Sequence, residues 1–271
     1  MRYCSLGSGS KGNGTLIEQG QTRLLVDCGF SLRSTEQRLR QAGLKGEQLT
    51  AILVTHEHSD HIQGVAKLAR RYELPVYLTP GTGYALREEE GLDLRWLDLN
   101  TRVVIDELEV SPIAVPHDAR EPCQFIFDNA QQRLGVLTDT GTITPWIIEQ
   151  YARLDALFLE ANYDPHMLAY GPYPGFLKAR VGGNLGHLSN QQAAGLLNMI
   201  DLEQLQHIAI AHISEKNNRP ELARDALTEA LANWTGELLL AEQNQGLPWQ
   251  TISGLSHHHC AQAGADNGKT Y

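Results

Sequence analysis

Residues 56 to 61 read His-Glu-His-Ser-Asp-His, so four side chains able to bind a metal ion, His56, His58, Asp60 and His61, fall within six consecutive positions. They follow the apolar run Ala51-Ile52-Leu53-Val54, with Thr55 between. In an extended segment leaving a strand, residues two apart project to the same side, so the imidazoles of His56 and His58 can reach one cation. The apolar spacing of Ile62, Val65, Leu68 and Ala69 predicts a helix starting around Asp60, which would turn Asp60 and His61 toward a second, nearby point. One loop feeding two neighbouring ions is the arrangement of two-metal hydrolases. In these, cations roughly 3.5 to 4 Å apart activate a water and stabilise the leaving oxygen of an ester or phosphate. The competing reading is a solvated helix entry whose histidines bind nothing, and the density of ligand types in one hexapeptide argues against it.

A two-metal site needs more ligands than one loop supplies, and the chain offers them where strands should end. Asp27 closes Leu24-Leu25-Val26, His117 follows Ile113-Ala114-Val115-Pro116, Asp139 follows the stretch 134–138, and His212 follows Ile208-Ala209-Ile210-Ala211. Each is a polar residue at the carboxyl end of an apolar stretch of strand length, where open sheets place their functional loops. Any one alone would be an ordinary turn residue. Together they form a constellation. The elements needed to position them are readable in outline. Strands are predicted at 2–6, 15–18, 23–27, 51–54 and 75–78, then 108–115, 124–128, 133–138, 156–160, 207–211 and 238–240. Helices are predicted near 34–42, 62–72, 145–153, 190–200 and 220–234, with Ser189 and Gln192 forming a capping box and Pro220 at an early helical position.

The order Asp27, His56-x-His58-x-Asp60-His61, His117, Asp139, His212 resembles the five-motif signature of the metallo-β-lactamase fold, over about residues 1 to 250. Four further segments are similar to the YycJ-type (WalJ) exonucleases of that superfamily: the stretch 5–13, Gly171-Pro172-Tyr173-Pro174, Gly186-His187-Leu188-Ser189-Asn190 and the stretch 212–218. The resemblance implies an α/β four-layer αββα sandwich. It also implies two divalent ions (Zn, Mn or Fe), one held by His56, His58, His117 and Asp139, the other by Asp60, His61, Asp139 and His212, so that Asp139 bridges them. Asp27 then orients the His-rich loop without ligating, in keeping with the rule that ligating imidazoles donate their other N–H to a carboxylate; capping the turn at Cys28-Gly29 is the alternative for it. In the related tRNA 3′-processing endonucleases a similarly placed Glu and His pair assists proton transfer to the leaving oxygen, which points to Glu160 and His187, with His187 the donor. The implied reaction is hydrolysis of a phosphodiester, 5′-to-3′ on DNA, within DNA repair, with Asp60 orienting or deprotonating the attacking water.

Bulk properties bound these expectations. At 271 residues with 42% hydrophobic content the chain is large enough for one substantial core. Residues 1–253 are expected to form one domain, and 254–271, with His257, His258 and His259, a disordered tail. No eighteen-residue apolar run or signal-peptide core is found, which makes no membrane partner and a cytoplasmic location the expectation. The cysteines Cys4, Cys28, Cys123 and Cys260 lack paired spacing and suit a reduced compartment. A net charge of −10 and a pI near 5.5 argue against broad non-specific nucleic-acid binding but leave room for a local basic groove. Lys178 and Arg180 are the candidate phosphate contacts of most interest, because they follow Tyr170, Tyr173 and Phe176, which could stack on bases. The Gly/Ser stretch 7–14 looks superficially like a nucleotide loop, but it lacks the Gly-Lys-Ser/Thr ending and leads into a strand pattern, which disfavours an ATPase. Two rivals stay open: a small-molecule metallo-hydrolase acting on a cyclic phosphodiester, thioester or lactam on the same fold, and a non-catalytic DNA-binding module.

Overall fold

The central strands carry apolar side chains on both faces, and that dictates a layered architecture. In β3 (Thr22–Val26) and β4 (Ala51–Leu53), Leu24, Val26, Ala51 and Leu53 point to one cluster and Leu25 and Ile52 to another. In β11 (Ala156–Glu160) and β12 (His207–Ala211), Ala156, Phe158, Ala209 and Ala211 join the first cluster, while Leu157, Leu159, Ile208 and Ile210 face a third. Strands buried on both faces read as continuous apolar runs, and they must be covered on both sides. The computed structural model, which describes residues 1–86 and 90–254, meets this need with two sheets packed face to face and helices on each outer surface.

The remaining strands are β1 (Arg2–Gly7), β2 (Gly14–Gln19), β5 (Val76–Leu78), β6 (Leu94–Trp96), β7 (Val103–Ile105), β8 (Leu108–Ala114), β9 (Cys123–Asp128), β10 (Arg133–Leu137), β13 (Glu237–Leu240) and β14 (Leu247–Thr251). One seven-stranded sheet runs β14-β1-β2-β3-β4-β5-β6 and the other β13-β12-β11-β10-β9-β8-β7. Each has three antiparallel pairings and then three parallel ones, with the switch at β3/β4 in one sheet and β10/β11 in the other. The two halves are therefore architectural repeats. Within two residues of the end of each switch strand stands an aspartate in the left-handed region, Asp27 at φ 60° and Asp139 at φ 50°. Non-glycine residues pay for that conformation and persist in it where surrounding structure over-determines them.

The helices are α1 (Leu32–Gln41), α2 (Ser59–Ile62), α3 (Val65–Tyr72), α4 (Pro80–Gly83), α5 (Pro145–Gln150), α6 (Pro165–Tyr170), α7 (Gly175–Val181), α8 (Asn190–Leu197) and α9 (Pro220–Ala230). Leu39, Val65 and Leu68 cover one sheet; Ile147, Leu196 and Leu227 cover the other. The αββα sandwich and the Ser189–Gln192 capping box are present as expected. The single helix expected over 62–72 is broken at Gly64, whose N–H donates to Cys28 O at 2.7 Å. A Cβ there would sit 2.1 Å from Phe30 O, so only glycine allows this approach. The sequence reading missed β6, β7, β14, α4, α6 and α7, all short. Cys4, Cys28 and Cys123 are buried free thiols, and burial pushes Cys4 and Cys28 up to about 12. Cys260 and the expected tail beyond Gly254 lie outside the described residues. Among the described residues no helix is long and apolar enough to cross a membrane.

Candidate metal centre

All seven proposed ligands converge at the carboxyl ends of strands flanking the two parallel–antiparallel switches. His56 follows β4, His58 and the start of α2 carry the loop on, Asp139 leaves β10, and His212 leaves β12 with φ 51°. His56, His61, His117, Asp139 and His212 are all buried, while Asp60 keeps 22% of its side chain exposed.

Two sets of ligand atoms match the expected cages, and a further close group joins Asp139, Glu160, His187 and His212. In the first, His56 Nε2 lies 3.0 Å from His58 Nδ1, which lies 3.3 Å from His117 Nε2. In the second, His61 Nε2 is 3.5 Å from Asp60 Oδ2 and 3.3 Å from Asp139 Oδ2, and His212 Nε2 is 3.7 Å from Asp60 Oδ2. Ligand atoms bound tetrahedrally at about 2.1 Å sit about 3.4 Å apart, so both sets already have the spacing a cation requires. Asp139 stands between them, its Oδ1 being 4.0 Å from His117 Nε2.

Buried Asp139 Oδ2 and His212 Nε2 have no hydrogen-bond partner. Such orphans are expensive unless something fills the space they face. Among the described residues, moreover, the ionic partners of Asp27, Asp139 and Glu160 are all histidines. With no Lys or Arg to neutralise three buried carboxylates, the balancing charge must come from protons on imidazole or from cations. The donor set of imidazoles and carboxylates suits a divalent transition ion.

The groups around the ligands fix their tautomers. Asp27 accepts the Thr55 N–H at 2.9 Å and the Thr55 hydroxyl, and its Oδ2 takes His61 Nδ1–H at 2.7 Å, which leaves His61 Nε2 facing the cage. The Asp27 carboxylate thus serves the loop and does not cap the following turn. His56 Nδ1 meets the Thr55 hydroxyl at 2.9 Å, and His117 Nδ1–H donates to Gly186 O at 2.9 Å. Glu160, fully buried, accepts from Thr140 N–H and Leu188 N–H through one oxygen, and from His187 Nδ1–H (2.7 Å) and His212 Nδ1–H (3.2 Å) through the other. His187 keeps 20% of its side chain exposed and lines the cavity, which has a volume of about 410 Å³.

Electrostatics differ between the two sets. Burial and neighbouring imidazoles hold His56 well below its usual range; burial lowers His117 too, against the pull of Asp139. Both therefore keep free lone pairs. Burial also works against charge on His61, but Asp139 and Asp27 outweigh it and lift the imidazole to about 9. His212 is driven well above its usual value against burial, by Asp139 first and then by Asp60 and Glu160. Asp139, in spite of complete burial, stays well below the ordinary carboxylate range because His212 and His61 surround it. Without a cation, then, the second set stores protons.

Two consequences are measurable. Because folding raises the proton affinity of His61 from 6.5 to about 9, its contribution to the metal-free protein is complete below pH 6.5 and is lost as pH climbs through 9. A chelator-treated sample should therefore lose thermal stability over that window, and the same sample reloaded with Zn should not. Loading must also expel these protons, so titration calorimetry at pH 7.5 in buffers of different ionisation heat should show release of at least about one proton per protein. No dependence of the heat on buffer would contradict the assignment.

Arg180 reaches the cavity wall, while Lys178 does not line it; the Lys178 ammonium donates to Ala169 O at 2.7 Å. Sequence reasoning overlooked Asp118, which receives Arg180 Nε at 2.5 Å and lies 3.6 Å from His58 Nε2 and 3.5 Å from His117 Nε2. It also overlooked Asn13. Its amide donates to Asp60 O at 3.2 Å and lies 3.0 Å from His61 Nε2, and its Oδ1 accepts Gly9 N–H at 2.8 Å. Ser8 Oγ accepts His212 N–H at 2.9 Å. The Gly/Ser loop, disfavoured as a nucleotide loop, is a collar around the candidate ligands Asp60, His61 and His212; its direct entry into β2 was the available signal.

Residues 22–213 match the family described as a beta-lactamase superfamily domain. The chain is 36% identical over 238 residues to the exodeoxyribonuclease YycJ of Bacillus anthracis, covering 85% of this chain and 89% of that one. It is 33% identical over 237 residues to the exodeoxyribonuclease WalJ of Streptococcus pneumoniae, covering 85% and 88%. In fold it is similar to the metallo-beta-lactamase fold protein YhfI from Bacillus subtilis, with a TM-score of 0.70 at 15% identity over 92% of this chain and 99% of that one. A domain match over most of the chain, joined to full-length relatives above 30% identity, places this hydrolase in the metallo-β-lactamase superfamily, in the group of the YycJ and WalJ exonucleases.

Proposed function

We propose that the chain is a metal-dependent phosphodiesterase that removes nucleotides from the ends of DNA. The observation that carries the reading is the pair of orphaned buried atoms, Asp139 Oδ2 and His212 Nε2, at cation spacing from Asp60 and His61 and facing the cavity that His187 lines. The names of the full-length relatives, both exodeoxyribonucleases, support DNA as substrate.

His56, His58, His117 and Asp139 would hold one ion, and Asp60, His61, Asp139 and His212 the other, with Asp139 shared. Two such ions, Zn, Mn or Fe according to supply, provide an activated water and Lewis acidity toward the phosphate. Asp60, the most exposed carboxylate of the cage, orients that water or takes its proton. Arg180 binds the phosphate: Asp118 occupies its Nε and leaves the terminal nitrogens to fork onto oxygens. Burial disfavours charge on Asp118, but Arg180 and the adjacent imidazoles hold its carboxyl below the usual aspartate range, so the anchor stays ionised. His187, oriented by Glu160 through its Nδ1–H, takes up a second proton on Nε2 from solvent before the bond breaks and gives that proton to the departing oxygen.

The test offers end-labelled duplex DNA, single-stranded DNA and RNA, with Mn and Zn compared after chelation, and a thioester and a lactam alongside. The reading expects stepwise release of nucleotides from DNA ends that returns when metal is restored. Turnover of the thioester or lactam with every nucleic acid left intact would replace it with the small-molecule reading.

A further inference from the structure

The connection between Glu160 and His187 holds two short helices, of which α6 buries only Leu168. α7 buries none of its residues, Phe176 on it is 76% exposed, and Tyr170 ahead of it is 79% exposed. Stability gains little from a ring left in water. Yet the segment is held firmly. Asp164 caps α6 by accepting Met167 N–H at 2.8 Å, Lys178 staples α7 to Ala169 O, and His187 N–H donates to Val181 O at 2.9 Å. The rigid support ends beside the hydrolytic cavity, which Tyr173, Leu177, Arg180 and Val181 line. Residues three and four apart are neighbours on a helix. Phe176 therefore stands one turn before Arg180 on the outer rim of the lining stripe, while Tyr173, just ahead of the helix, lines the cavity itself. Tyr170 packs against His166, with ring centroids 4.5 Å apart, and is otherwise engaged.

We infer that Phe176, with Tyr173, stacks on the base of a nucleotide flanking the scissile phosphodiester, while Arg180 takes the phosphate. The inference rests on the nuclease reading and specifies how that site grips its substrate. A nucleobase is the occupant that fits. The apolar surface is a pair of rings beside a cation, continuous with the hydrolytic cavity, and alternation of aromatic face and cation is how sequence-tolerant single-strand grooves are built. In a chain with net charge −10, where phosphate attraction over the whole surface is weak, stacking is also the contribution that remains available to hold a strand end.

The test uses full-length protein with DNA carrying, at each nucleotide next to the cut bond, a normal base, an abasic residue or 2-aminopurine. Wild type should cut the abasic end about tenfold more slowly than the intact one. Phe176→Ala should lose about tenfold on the intact end and nothing further on the abasic end, and Phe176→Trp should behave as wild type. Fluorescence of 2-aminopurine should be quenched on binding to wild type and Phe176→Trp but not to Phe176→Ala. Unchanged abasic discrimination and quenching in Phe176→Ala would overturn the stacking role and leave the nuclease reading standing. Absence of any DNA cleavage or binding by wild type would overturn both.

Discussion

Asp139→Asn should yield a folded protein that carries at most one tightly held metal ion and hydrolyses substrate more than about a hundredfold more slowly. That figure is the upper end for groups that only orient ligands, and Asp139 stands where it would ligate. Asparagine is the informative replacement because Asp139 sits at φ 50°. Asn enters the left-handed region readily, whereas alanine adds about 1 kcal/mol of backbone strain. The amide keeps the shape and removes the charge that balances His61 and His212. Elemental analysis after gel filtration, set beside melting curves of Asp139→Asn and Asp139→Ala, separates lost ligation from strain. If both variants melt lower but keep two ions and full activity, Asp139 is a strand-end residue and nothing more. Asp60→Ala should share the catalytic loss with a smaller structural effect, since Asp60 lies at the start of a four-residue helix and retains solvent contact.

How much of this was legible in the chain depends on scale. Runs such as Ile208-Ala209-Ile210-Ala211 announce a strand covered on both faces, and a histidine at the end of one can lie only on the sheet rim, so the convergence of these side chains on one rim was readable from residue order. Edge elements were not. β6 has three residues, one of them Arg95, and β14 contains Pro248, tolerated because an edge strand need not donate every ladder bond. α7 lies between glycines and prolines and buries nothing, so no apolar period marks it. Contacts between distant loops were equally invisible. Asn13 meets His61 across 48 positions and Asp118 meets Arg180 across 62, and neither spacing leaves a local pattern. The Glu160–His187 pair was found by resemblance; its geometry, with four donors on one buried carboxylate, is a product of the fold.

That pair supports the second large expectation. His187→Ala should slow release of nucleotides from DNA by about 10² to 10⁴-fold, the usual worth of a positioned proton donor, and should leave hydrolysis of bis(p-nitrophenyl) phosphate within about tenfold of wild type. The departing sugar alkoxide is a strong base and needs a proton as the bond to phosphorus breaks, while p-nitrophenolate departs without one. Metal content should be unchanged, because His187 commits its Nδ1–H to Glu160, and Glu160 keeps its bonds to His212, Thr140 and Leu188 without it. Glu160→Gln is the harsher variant. Its amide group would face two imidazole Nδ1–H donors or two backbone N–H donors, and either choice buries like against like, at a cost of about 1 to 3 kcal/mol. It should therefore lose metal as well as proton transfer. Equal loss on both substrates in His187→Ala would show that His187 shapes the cavity without protonating the leaving oxygen, and free imidazole restoring DNA cleavage in that variant would show the opposite.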